Sequence, residues 1–299
     1  MQVNKVNLGE KIMSSITNGL KFLISCTILS VTFSTKIFAD EKLHQVLVSQ
    51  AITESGIEQQ FVGFDEIISN TMTQIFALDN KLTDIEKNKL TEILVSNYNH
   101  TDFMKEIHKS LSYKLSDEDL RGKLDLYNLP LVKKFIQAEK NNAQPQVQQK
   151  LAGFALKLNR NPPATERLEL VNRLDKATHA SEYVKNLMIN MFTTLIYGVN
   201  DLNHKLTNKE LEDAIKAYKL VINSAVSKEV AVSILYTYQD LTNSELEQYI
   251  AIHEENKFIV DKFNRALMSA TNEYFNGYTT RIAKGLAMFI VDKQQVELA

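Results

Sequence analysis

The chain has no tryptophan, one cysteine, four prolines and nine glycines in 299 residues. A lone cysteine closes no intrachain disulfide, so stability must come from apolar burial. With so few prolines and glycines there are few places where a helix must stop. Charges of both signs are interspersed and sum to only −2. That pattern lacks the basic stripe of a nucleic-acid footprint, and no nucleic-acid partner is expected. Gly-x-Ser-x-Gly, Gly-x-x-x-x-Gly-Lys and Gly-x-Gly-x-x-Gly are also missing. Their absence removes the readily recognised hydrolase, P-loop and dinucleotide signatures and weakens an enzymatic reading without ending it.

One short apolar run stands near the start. Phe22 to Phe33 follows Lys5, Lys11 and Lys21 and precedes Ser34-Thr35-Lys36-Ile37-Phe38-Ala39. It falls short of the about 20 residues that a membrane-spanning helix needs. A basic start, a short apolar segment and a small residue before Asp40 describe a secretory signal peptide over 1–39. Translation starts at Met1 or Met13 on this reading. Leu23-Ile24-Ser25-Cys26 also has the shape of a lipoprotein box, which would leave Cys26 acylated. Cleavage after Ala39 is the preferred expectation because Lys21 stands too close to Cys26 for an ordinary apolar segment. It removes the cysteine, and with it four Lys and one Glu, taking the net charge from −2 to −5. The mature chain is expected in the periplasm or outside the cell, with no transmembrane span.

What the chain does have is one pattern twice. Leu82-Thr83-Asp84-Ile85-Glu86 and Leu115-Ser116-Asp117-Glu118-Asp119 return as Leu206-Thr207-Asn208-Lys209-Glu210 and Leu241-Thr242-Asn243-Ser244-Glu245. Thr or Ser followed three residues later by an acid is a capping box, the start of a helix, and the Leu before it can pack back as a staple. Glu41-Lys42-Leu43, Tyr113 and Val132-Lys133-Lys134-Phe135 find counterparts in Glu166-Arg167-Leu168, Tyr238 and Val260-Asp261-Lys262-Phe263. A recurring long period decides what counts as one structural unit. The expected architecture is all-α, as two duplicated up-and-down helical bundle units. Unit one spans 40–160 and unit two 161–299. Asn97 to Asp102 should interrupt the helix that begins at Thr83, Gln146 to Leu158 should close unit one as a short amphipathic helix, and Asn159-Arg160-Asn161-Pro162-Pro163 should be the linker.

Leu115 to Leu120, then Leu126-Tyr127-Asn128-Leu129-Pro130-Leu131-Val132-Lys133-Lys134, resembles the repeat of the bacterial secreted family known as domain of unknown function 2059. Ile52-Thr53-Glu54-Ser55-Gly56-Ile57 through Met72 is similar to that family's opening helix pair. Val132 stands where the family has a hinge glycine, and His253 and Asn256 stand where it has Tyr and Pro, so the second copy is degenerate. The resemblance implies an exported all-helical domain with no established activity.

No residues are assigned to catalysis, cofactor binding or metal binding. The six histidines, His44, His100, His108, His179, His204 and His253, lack the short helical spacings of metal sites. They read as solvated positions, with His253-Glu254-Glu255 on an exposed helix face. The acidic groups Asp117-Glu118-Asp119 and Glu210, Glu212, Asp213 are explained by capping and the helix dipole. Phe61, Phe64, Phe76, Tyr183, Phe192, Tyr197, Phe258, Phe263, Tyr274, Phe275 and Tyr278 read as core. Ile282, Leu286, Phe289 and Ile290 form a stripe on the last helix, widened by Ala287, Met288 and Val291; it is either buried or a docking face. The sequence therefore points to a non-enzymatic binding module, without cofactor or metal, meeting a protein, peptide or lipid at the inter-unit groove or the C-terminal helix. A periplasmic hydrolase or transferase, and an envelope lipoprotein anchored at Cys26, are the alternatives.

Overall fold

The computed structural model describes residues 40–61, 64–66, 69, 83–142, 147–203 and 206–298. The expected signal peptide over 1–39 with Met13 and Cys26, together with Phe76, Leu82, residues 143–146 and His204, lies outside the described residues. Among the described residues the fold is all-α, with no strand. The helices of the first half are α1 (Asp40–Ser55), α2 (Ile57–Phe61), α3 (Asp84–Val95), α4 (His100–Lys114), α5 (Asp117–Tyr127), α6 (Pro130–Asn142) and α7 (Val147–Arg160). Those of the second are α8 (Thr165–Thr178), α9 (Ala180–Asn203), α10 (Asn208–Thr237), α11 (Asn243–Glu255) and α12 (Lys257–Leu298). The coil at 161–164 carries the two adjacent prolines, which cannot continue α7.

All four expected caps form. Thr83, Ser116, Thr207 and Thr242 are N-caps, each accepting from the amide three residues on while that residue's carboxylate accepts from the cap amide. Asp119 reaches back to the Ser116 amide at 2.7 Å, so the shorter acid closes the box as well as the glutamates do. Such a box satisfies two of the amides that a helix start leaves open. Replacing Thr207 or Thr242 by Ala is expected to lower stability by about 0.5–2 kcal/mol, read as a shift of the urea midpoint. Two midpoints identical to wild type would remove the caps from the stability argument.

The helix that starts at Thr83 breaks where expected: α3 ends at Val95 and Asn99 caps α4, accepting from the Asp102 amide. The corner is held from α12. Tyr274 Oη accepts from the Asn99 amide and donates to the Asn99 carbonyl, at 2.6 and 2.9 Å. Tyr278 Oη donates to Leu94 O, and the Arg281 guanidinium to Asn97 O. Orphan backbone groups at the break thus find partners contributed from about 180 residues along the chain. Around them Phe61, Phe64, Tyr98, Phe103, Tyr274, Phe275 and Tyr278 pack edge-to-face or tilted, with Phe61 and Phe103 at 4.3 Å between ring centres.

The core does not divide at residue 160. One continuous buried cluster runs from Leu47 and Val48 in α1 to Phe289 in α12. At 42 residues α12 is about 63 Å long, and it packs on α9 along one side and on α3, α4 and α5 along the other. A Cβ on Gly198 would sit 2.7 Å from Ala283 Cβ, so α9 and α12 approach closely only because that position has no side chain. Ile282, Leu286, Ala287 and Phe289 are buried, so the stripe on the last helix faces this core, whereas Met288 points to solvent.

The two halves pack alike in several details. α1 lies on α5 as α8 lies on α11. His44 ties α1 to the start of α5 through Asp117 Oδ1 (2.6 Å) and to the end of α4 through Ser112 O (2.9 Å). Arg167 bridges α8 to the start of α11 through Asn243 Oδ1 and the Tyr238 and Leu241 carbonyls. The turn between α1 and α2 uses Gly56 at φ 61°, and the turn between α8 and α9 uses His179 at φ 57°. A hydroxyl precedes each: Ser55 donates to Ile52 O and Thr178 to Leu174 O. His179 bears its left-handed backbone with its ring 3.2 Å from Glu182 and 3.4 Å from Asp261.

Candidate binding cavity between the halves

A cavity of about 110 Å³ opens where α2, α6, α8, α9, α10 and α12 meet. Its walls are apolar: Ile57 from the first half, Leu174, Val184, Val230, Ile234 and Leu267 from the second. Glu139 and Asn142 of α6 enter from the first half, while Tyr238, at the end of α10, enters from the second. Tyr238 Oη donates to Glu139 Oε1 across that boundary. Glu139 is buried, and its other oxygen, Oε2, has no hydrogen-bond partner among the described residues.

Glu139 is inside because of register. Val132, Phe135, Ile136 and Glu139 occupy one face of α6, and that face is buried. Phe135 stacks on Tyr249 of α11 at 3.9 Å between ring centres and tilts against Tyr238 at 4.9 Å. Two more polar residues share core register nearby. Lys123 lies between Leu120 and Tyr127 on the buried face of α5, its ammonium 4.7 Å above the Tyr127 ring and 5.3 Å from the Phe263 ring. His253 lies on the buried face of α11 with Leu246, Tyr249 and Ile250. Its ring stands 4.6 Å from that of Tyr249, and neither His253 Nδ1 nor Tyr249 Oη has a hydrogen-bond partner among the described residues.

Burial sets the protonation of the group. It pushes the Glu139 carboxyl well above the ordinary carboxyl range, against the hydrogen bond from Tyr238 and the charge of Lys123. Lys123 is pushed down to about 8 by burial, with Glu139 opposing. His253 is pushed down to about 3, by burial first and then by the Lys123 charge. Burial, aided by the negative charge of Glu139, also raises Tyr127, Tyr238 and Tyr249. Titratable groups shifted by burial and by one another, with Glu139 and Tyr238 lining a cavity, make a candidate functional site.

Several sequence expectations change here. His253 is buried, so its expected place on an exposed face is corrected: Glu254 and Glu255 face solvent while His253 turns inward with the apolar residues three and four positions before it. Phe258, expected in the core, is 72% exposed and lies under the Lys262 ammonium instead. Phe192 stacks on Tyr218 at 4.0 Å rather than entering the main cluster. The acidic residues explained by capping do cap: Asp119 and Glu210 close their boxes, and Asp119 also takes an ion pair from Lys262. Glu139, which lines the cavity, and Lys123, which is coupled to it, were not singled out from the sequence, and Tyr238 was named only as the counterpart of Tyr113. Among the described residues no three His, Cys, Asp or Glu side chains converge on a metal position. One helix, α10, is long and apolar enough by length and composition to cross a membrane. No known protein family, curated protein or solved structure matches the chain.

Proposed function

We propose that the protein is an exported helical binding module, built from two related halves, whose ligand sits in the cavity the halves enclose. The observation that carries this reading is the cavity itself, with apolar walls from both halves and one buried carboxyl, that of Glu139, in its lining. Ligand sites are concave, mostly apolar and furnished with a few polar groups that fix orientation. Relatedness of the halves is supported by the paired boxes, the His44 and Arg167 bridges and the left-handed residues Gly56 and His179. Export, and kinship with the secreted helical family that Leu115 to Lys134 resembles, complete the proposal.

Mass spectrometry on wild type and Val230→Phe tests it. Val230 is buried and lines the cavity, so a phenyl ring there fills the void. Wild-type protein purified natively from the envelope should carry a non-covalent mass that V230F lacks, with the melting temperature of V230F no lower. Identical native spectra would sink the binding site. The denatured spectrum should match Asp40–Ala299; an intact start or an acylated Cys26 would replace export of a soluble chain by the cytosolic or the anchored alternative.

A second reading rests on the raised Glu139 carboxyl. A proton held on a buried acid beside a phenol is the equipment of a general acid, as a hydrolase or transferase needs. On that reading Glu139→Gln abolishes turnover and leaves binding intact.

A further inference from the structure

The start of α10 repeats the start of α3, yet the two helices are covered differently. With Thr83 set on Thr207, residues Leu90, Ile93, Leu94 and Asn97 fall on Ala214, Ala217, Tyr218 and Val221. In the first half the end of α12 roofs this face. Gly285 passes so close that a Cβ there would stand 2.8 Å from the Ile93 side chain, while Tyr278 donates to Leu94 O and Arg281 to Asn97 O. On α10 the same register stands open: Ala217 is exposed, Val221 is 51% exposed and Leu220 67%.

The segment of the first half that answers to the end of α12 lies elsewhere. Lys150-Leu151-Ala152 of α7 resembles Arg281-Ile282-Ala283 of α12, which sets Phe154 where α12 has Gly285. Phe154 rests edge-to-face on Tyr236 at 5.2 Å between ring centres. That is roughly 28 Å along α10 from Ala217, at 1.5 Å of rise per residue.

Ala217, Leu220, Val221 and Ser224 stand at i, i+3, i+4 and i+7, the spacing along which one amphipathic helix lies on another. We infer that this face of α10 docks an amphipathic helix of a partner protein, laid on it as the end of α12 is laid on α3. Two differences between α3 and α10 define that helix. Ile93 meets a glycine, whereas its counterpart is the smaller Ala217, so the visiting helix carries a large apolar residue at the contact. Glu92 corresponds to Lys216, and from Ala214 to Lys228 the helix has Lys216, Lys219 and Lys228 with no acid. The visiting helix is therefore acidic beside its apolar stripe. The inference rests on the reading of the two halves as related, and not on the cavity.

Fluorescence anisotropy with the full chain and a labelled peptide of residues 274–292 carrying Arg281→Glu, Lys284→Glu and Gly285→Leu tests it. This peptide should bind wild type at least about tenfold more tightly than the same peptide without the three changes. Val221→Glu should abolish binding with the melting temperature unchanged, because the side chain it replaces is half exposed. Lys216→Glu should weaken the acidic peptide and strengthen the unmodified one. If both peptides, and a scrambled one of the same composition, bind alike, the inferred chemistry of the partner is overturned. If neither binds, the helix partner is overturned. Should wild type then dimerise, or pellet with vesicles of anionic lipid, and Val221→Glu not, the face belongs to a second copy or to a bilayer. The relation between the halves fails separately, if 83–95 and 207–219 do not superpose with their neighbouring helices in a crystal structure.

Discussion

Between pH 6.5 and pH 3 the wild-type chain is expected to lose up to about 5 kcal/mol of stability that a His253→Leu variant keeps. In the unfolded chain this imidazole titrates near its ordinary value of about 6.5. In the fold it titrates near 3, because charging it would place a cation in an apolar interior beside Lys123. A depressed folded value means the unfolded state takes up the proton first as acid is added. Stability is therefore complete above the unfolded value and drains as pH falls toward the folded one. Leucine fills the position among Leu246, Tyr249 and Ile250 and has no proton to gain. Urea unfolding of both proteins at half-unit steps of pH gives the difference directly, since every carboxylate titrates in both. Parallel curves would show that His253 reaches water in the folded chain.

Lys123→Met is expected to stabilise the chain by about 3 kcal/mol at pH 7, an unusual direction for a core substitution. The ammonium is fully buried, and its value falls from 10.5 to about 8. Below pH 8 both folded and unfolded chains hold the proton, and the whole cost of burying the charge is present. As pH rises from 8 toward 10.5 the folded chain sheds the proton first, and the cost disappears. The advantage of methionine, which has similar length and no charge, should close over the same range. A variant no more stable at pH 7 would mean that the attraction to Glu139 and the faces of Tyr127 and Phe263 offset the desolvation. Residues that cost stability are expected where function needs them, and Glu139, to which the Lys123 charge is coupled, lines the cavity.

The helix starts were legible in the sequence because capping is a local matter: Thr207 and Glu210 meet within one turn, whatever the rest of the chain does. The break before His100 was legible for the same reason, with Asn97 and Asn99 crowding one corner. The stripe Ile282, Leu286, Phe289 showed by period, which left open whether it is buried or a docking face; the structure buries it. The candidate site did not show, because its pairings are long-range. Glu139 meets Tyr238 at a separation of 99 residues, and nothing near either predicts the other. A signal was present in the register, however. Glu139 and His253 each follow large apolar residues by three and four positions, and Lys123 stands three after Leu120 and four before Tyr127; that is the spacing of a buried face, and a polar residue there is either a mistake of register or a reason to look for a site. His253 was misplaced because its acidic neighbours Glu254 and Glu255 suggested a wet surface, although adjacent helical residues point about 100° apart.

The long last helix also sets a schedule for the growing chain. Phe61, Phe64 and Phe103 leave the ribosome early, but the rings and hydroxyls that cover them and close the corner at Asn99 belong to Tyr274, Phe275 and Tyr278. At about 5–20 residues per second those partners arrive roughly 10 to 35 s after Phe103 does. Throughout that wait the nascent first half displays an uncovered aromatic face, the kind of surface that holdase chaperones grip and that neighbouring nascent chains stick to. When the chain is expressed in the cytosol without residues 1–39, slowing synthesis after residue 160 should therefore raise aggregation of the product, whereas slowing it before residue 60 should leave the yield unchanged.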